Sequence, residues 1–86
     1  MLVKKYYHNN QYIISNEGTV YFQSYKSLIA SVSRNKVTLY KDWDYSRTTL
    51  RHLYLFLKEY SSIDNKFLNK KGIEKLIKEG TININK

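Results

Sequence analysis

Eleven residues, "DWDYSRTTLRH" from Asp42 to His52, gather the only Trp of the chain with two carboxylates, a Tyr, three hydroxyls, two Arg and a His. Asp42 and Asp44 stand two apart, so on an extended segment both carboxylates point the same way, which suits a divalent cation, with His52 approaching from a following helix. A metal-dependent nuclease is one chemistry such a trio would support. The same residues also read as a helix start. Acidic groups just before a helix N-terminus interact well with its dipole, Trp43 and Tyr45 anchor the helix to a sheet, Ser46 caps it, and Thr48 and Thr49 satisfy first-turn amides. That structural reading, a junction of Trp43, Tyr45 and Ser46, is the stronger one, and His8 and His52 read as surface or partly buried groups. There is no Gly-rich phosphate loop, no H-E-x-x-H and no Ser/His/Asp arrangement. The expectation is therefore no catalytic residue, no metal and no cofactor.

Two other constellations suit binding. At 100° per residue from Arg47, the side chains of Arg47, Arg51, Tyr54 and Lys58 fall within about 60° of one another, a cationic face with a Tyr beside it that suits phosphates or a protein partner. The alternative is an ordinary solvated helix face. Tyr12, Tyr21 and Tyr40 fall on alternate positions that share the outer face of a sheet, where rings serve either as a stacking platform for single-stranded bases or as cross-strand packing. A second Lys stripe, Lys71, Lys75 and Lys78, is weaker, because Glu74 pairs with Lys78 at i,i+4.

The elements that must position these groups follow from periodicity. "YIIS", "NEG" and "TVYFQSY" form a hairpin signal; "SLIASVS", "RNK" and "VTLYK" repeat it, with Leu28, Ala30 and Val32 on one face. "VKKYY" before His8, Asn9 and Asn10 is a further edge strand. From Ser46 the period changes to that of a helix whose core stripe is Leu50, Leu53, Phe56, Leu57 and Tyr60, all between about 180° and 300°. A second helix has Asn69 as cap, Ile73, Leu76 and Ile77 inside and Gly80 as its stop, after the polar joint "SSIDN". "TININ" closes as a short strand. The predicted fold class is α+β: an antiparallel meander of three to five strands, two helices packed on one face and a short C-terminal strand, in one compact domain over residues 1–86.

The bulk composition narrows the function classes. A chain of 86 residues leaves little room for a buried, preorganised catalytic cleft, so an enzyme is the less favoured class. The lack of Cys leaves the redox compartment open; "MLVKKYYHNN" has no apolar stretch after its lysines and no apolar run approaches the roughly 18 residues of a span, so a cytoplasmic protein is expected. The formal charge of +8 favours anionic partners. Codon bias tempers that inference: Lys, Asn, Ile and Tyr all use A/T-rich codons, and the chain has no Pro and a single Ala.

At "YFQSYKSLIASV", "NKVTLYKDWDYSRTTLRHLYLFL" and "EKLIKEGTI" the sequence resembles a family of small proteins of bacteriophages and other mobile elements in A/T-rich bacteria. The pattern rests on Ser24, Tyr25, Ile29, Ala30, Trp43, Tyr45, Ser46, Thr48 and Thr49, and covers Thr19 to Leu57 best. The resemblance implies no activity for any residue, but it implies a context, the cytoplasm of a host bacterial cell, where small proteins act by binding. The expectation is a non-enzymatic inhibitor of a host defence complex, of the anti-CRISPR kind, meeting a host protein or ribonucleoprotein through Arg47, Arg51, Tyr54 and Lys58. Mimicry of DNA is disfavoured by the positive charge. The alternatives are a nucleic-acid-binding module for DNA or RNA, using that face or the sheet tyrosines, and a purely structural subunit.

Overall fold

A computed structural model of the chain describes residues 2–6 and 8–85. Strands β1 (Leu2–Tyr6), β2 (His8–Asn16), β3 (Thr19–Ser24), β4 (Ser27–Ser33) and β5 (Lys36–Tyr40) form an antiparallel meander. Helix α1 (Arg47–Tyr60), a 3-10 turn (Asn65–Phe67) and helix α2 (Lys70–Glu79) follow, and β6 (Ile82–Asn85) completes a six-stranded sheet in the order β1-β2-β3-β4-β5-β6. The α+β class and the meander are as expected. The last strand lies parallel to β5, so the sheet is mixed. A parallel neighbour requires a long crossover, and the two helices supply it.

Turn chemistry sets the meander. Glu17 and Gly18 have φ of 52° and 82°, and Arg34 and Asn35 of 50° and 63°; positive φ at both central residues matches the twist of the strands a two-residue loop joins. Two details differ from the sequence reading. The chain at His8, Asn9 and Asn10 is already strand, because β2 runs nine residues; Tyr7, between β1 and β2, lies outside the described residues. Leu28 does not share a face with Ala30. The register shifts between Phe22 and Gln23, pairing Phe22 with Ala30 but Gln23 with Leu28. The residue inserted there, Ile29, is buried in place of Leu28, as a bulge allows.

Side chains alternate across the sheet, so one face carries two apolar rows. Ile13, Phe22, Ala30 and Leu39 are cross-strand neighbours, as are Val20, Val32, Val37 and Ile82. Both helices close over this inner face. Leu53, Phe56 and Leu57 of α1 and Ile73 and Leu76 of α2 are buried in the same core, with Trp43. Phe56 stacks on Phe22 at 5.7 Å between ring centroids and touches Tyr60 at 5.2 Å. Each such large side chain contributes about 1.5–3 kcal/mol of burial.

Both helices start and stop where the sequence indicates. Ser46 Oγ accepts from the Thr49 amide, Asn69 Oδ1 accepts from that of Gly72, and Gly80 ends α2 in the left-handed region at φ 84°. Gly72 has a second duty: a Cβ there would lie 2.7 Å from both the carbonyl carbon and the Cα of Phe67. Ala ordinarily exceeds Gly inside a helix by about 0.5–1 kcal/mol. Here backbone crowding of about 1–3 kcal/mol outweighs that gain. Gly72→Ala is therefore expected to lower the melting temperature; a value at or above that of the parent in thermal unfolding would show that the 3-10 turn yields instead.

Candidate functional site

The junction between β5 and α1 both holds the helix and borders a cleft. After β5 the chain turns twice, with the Trp43 amide donating to Tyr40 O at 3.0 Å and the Tyr45 amide to Asp42 O at 3.1 Å. Trp43 is buried and Ser46 caps, as expected. Tyr45 is no anchor, for its side chain is 78% exposed: the second turn points it away from the sheet just before the cap. Thr49 acts differently from the expectation too. It is buried, receives a hydrogen bond from Ser46 Oγ at 3.1 Å, and lies 3.5 Å from Ser24 Oγ on β3. A hydroxyl chain thus ties the first turn of α1 to the sheet.

The metal trio is not assembled. Asp44 is paired with Lys70 at 3.9 Å, while His52 is buried on α1. A carbonyl only accepts, so His52 Nδ1 donates to Thr48 O at 2.8 Å. Among the described residues no three His, Cys, Asp or Glu lie close enough to hold a metal ion. His8 lies in β2. Sequence reasoning missed the burial of Gln11, Thr49 and His52. For Thr49 the signal was present: at about 200° by the same measure it falls inside the apolar stripe. Gln11 alternates with Ile13 onto the inner face, and its Oε1 has no hydrogen-bond partner among the described residues, at a cost of about 1–3 kcal/mol.

On α1, Arg47, Arg51 and Lys58 are exposed on one side, as their spacing predicts. None is in an ion pair among the described residues. Tyr54 departs from the expected role. It is half-buried against the core, and burial, then the charge of Glu74 on α2, raises its pKa from the ordinary 10.0. With its ring packed against the core, the exposed contact surface reduces to three cations.

The opposite face of the sheet is covered by no element among the described residues. Tyr12 pairs with Gln23, Tyr21 with Ile14 and Ser31, and Thr38 with Ser31. These partners, with Tyr40 two residues beyond Thr38, alternate with the buried Ile13, Phe22 and Leu39 and so share the outer face. All three tyrosines are half-buried, and Tyr40 OH lies 3.2 Å from Ser31 Oγ. Lys5, opposite Tyr12, and Lys36, opposite Ser33, lie on the same face near its two sides. No Asp or Glu occupies an outer-face strand position among the described residues. The surface holds two hollows: about 620 Å³ beside Arg34, Lys36, Thr38 and Asn83, with Glu17 at its margin, and about 570 Å³ beside Tyr12, Ile14, Gln23 and Lys26.

A third hollow, about 630 Å³, lies between the β3–β4 turn and the start of α1, lined by Ser24, Tyr25, Lys26, Ser27, Ile29, Asp42, Tyr45, Ser46, Thr48 and Thr49. The sequence reading did not foresee this cleft. Its two walls, "SYKS" and "YSRTT", are 18 residues or more apart in the chain. Tyr25 was part of a pattern, but nothing in its spacing marked it as a lip.

These surfaces belong to a small α+β domain with one face of a mixed sheet covered by two helices and the other open. The chain belongs to the family of unknown function DUF8033, which it matches over residues 1–75. No curated protein and no solved structure matches it. No helix is long and apolar enough to cross a membrane among the described residues.

The partial burial of Tyr54 makes a prediction about alkaline stability. A raised folded-state pKa means that the fold favours the neutral phenol. That contribution is whole below the ordinary value of 10.0 and is lost as pH rises through the raised value. In urea unfolding between about pH 9 and 11.5, the parent should lose stability more steeply than Tyr54→Phe, which retains the ring but has no proton to lose. Parallel curves would show that Tyr54 ionises equally in both states.

Proposed function

We propose that this protein is a non-enzymatic module that holds single-stranded nucleic acid on the open face of its sheet. The observation that carries the reading is the grouping of Tyr12, Tyr21 and Tyr40 on one uncovered face without carboxylates, with cations at its margins. An exposed sheet with aromatic side chains stacks bases independently of their sequence, and Lys or Arg around it neutralises the phosphates. Lys5, Lys26, Arg34 and Lys36 lie on or beside this face, whereas Lys4, opposite Ile13, alternates to the inner one; Glu17 is the single carboxylate between Leu2 and Tyr40. Gln23, Thr38 and Asn83 add donors and acceptors for base edges. The site asks for no metal and no cofactor.

A second reading is favoured by the other cationic surface. Arg47, Arg51 and Lys58 stand exposed and outside any ion pair among the described residues, beside the partly exposed Leu55. Arg is over-represented among interface hot spots. With the likeness to proteins of phages and mobile elements, this supports a protein-directed inhibitor that meets an acidic or RNA-containing face of a host defence complex.

The two readings predict different losses. Fluorescence anisotropy with labelled single strands should show binding that weakens with salt at a log–log slope of about −0.7 for each phosphate neutralised. Tyr21→Ala should cost about 1–3 kcal/mol at an unchanged slope, whereas Lys36→Ala should flatten the slope. Salt-independent affinity, or full affinity in Tyr21→Ala, sinks the nucleic-acid reading. The inhibitor reading predicts that the protein rescues phage growth in a host with an active CRISPR system, and that Arg47→Ala/Arg51→Ala/Lys58→Ala abolishes rescue with an unchanged melting temperature. Full rescue by the triple variant discards that face.

A further inference from the structure

The β3–β4 turn belongs to two hollows at once. Tyr25 and Lys26 border both the outer-face groove beside Tyr12 and the cleft beside α1, so the two are continuous around the end of this hairpin. Two exposed rings mark the cleft. Tyr25 is 62% exposed and Tyr45, on the opposite wall, 78%; they are the most exposed aromatic rings among the described residues. Neither exposure helps the fold. Tyr25 in fact costs it something, since its φ of 55° lies in the left-handed region that a bulky side chain disfavours. Its amide donates to Asn10 O at 2.6 Å and its carbonyl accepts from Gln23 Nε2 at 2.8 Å; Gly would make the same backbone bonds without strain.

We propose that a single strand leaves the sheet face over the β3–β4 turn and places its next base in the cleft, between Tyr25 and Tyr45, with Lys26 meeting the phosphate at the lip. This rests on the reading of the sheet face as a nucleic-acid surface. The lining selects a base over a phosphate for the interior. Asp42, the cleft's one carboxylate, repels phosphate but accepts from an exocyclic amino group, and the hydroxyls of Ser27 and Thr48 can donate or accept at base edges. The cation is at the entrance, on the turn shared with the sheet face.

The test is a ladder of labelled adenine oligonucleotides of roughly 3 to 12 nucleotides, titrated by anisotropy. In the parent, affinity should climb with length to a plateau. Tyr45→Ala, which alters one exposed ring on the wall away from the sheet face, should bind the shortest strands as the parent does and bind plateau-length strands about five- to a hundredfold more weakly. Tyr21→Ala should lose affinity at every length. If Tyr45→Ala follows the parent curve throughout while Tyr21→Ala does not, the cleft proposal is wrong and the sheet-face reading stands. No binding by the parent at any length overturns both.

Discussion

The stack of Phe56 on Phe22 fixes where α1 lies, and the remaining surfaces follow from that seating. Phe22 sits on β3 between Ile13 and Ala30, and the small side chain of Ala30, the only Ala in the chain, leaves room for a ring from above. With α1 laid over β3 and β4, its first turn arrives at Ser24, the hydroxyl chain through Thr49 closes, and Trp43 is carried into the core. The start of the helix then faces the β3–β4 turn and leaves the hydroxyl-lined cleft between them. Two helices are enough to cover one face of the sheet. The other is covered by no element among the described residues, and rings with a hydroxyl, amides, Ser and Thr make up much of it, beside the apolar Val3, Ile14 and Leu28.

Much of this was legible because local signals agreed with one another. Ser46 and Asn69 are caps by chemistry, Gly80 is a stop by its tolerance of positive φ, and strict alternation put Tyr12, Tyr21 and Tyr40 on one side without reference to any contact. The failures have physical causes as well. A bulge shifts register by one residue, and nothing in "SLIASVS" distinguishes a strand burying Leu28 from one burying Ile29. Tyr45 and Tyr54 show the limit of residue type as a guide. Tyr45, assigned to the junction, faces solvent because the turn before the cap ends there; Tyr54, assigned to an exposed face, is half-buried because its ring packs against the core. Which ring a second element covers depends on tertiary packing, and so does a cleft between segments distant in the chain.

The polar seam beneath α1 costs stability that an apolar seam would not. Gln11, Ser24, Thr49 and His52 are all nearly inaccessible, and Gln11 Oε1 has no hydrogen-bond partner among the described residues. Against this, directional bonds fix the first turn in one rotational setting, where apolar contacts alone would permit sliding of the helix. The hydroxyls that line the cleft belong in part to this seam, so the fixing of the helix and the shape of the cleft are one arrangement.

Net charge alone does not choose between the two cationic surfaces, because at physiological ionic strength exposed charges interact over about 8 Å. What counts is the local balance. The helical side carries more cations but also six of the seven carboxylates. On α2, Lys70, Lys71, Lys75 and Lys78 stand three or four residues from Glu74 or Glu79, a spacing that lets opposite charges offset one another, and Lys70 is already engaged with Asp44. On the sheet side Lys26, Arg34 and Lys36 stand with one carboxylate, Glu17, at the margin of one hollow. The potential over the open face is thus the less compensated of the two, and it lies over the surface that also offers rings. Coincidence of uncompensated positive charge with accessible aromatic area is what a flexible polyanion with planar bases requires, which is why the sheet face takes precedence over the helix.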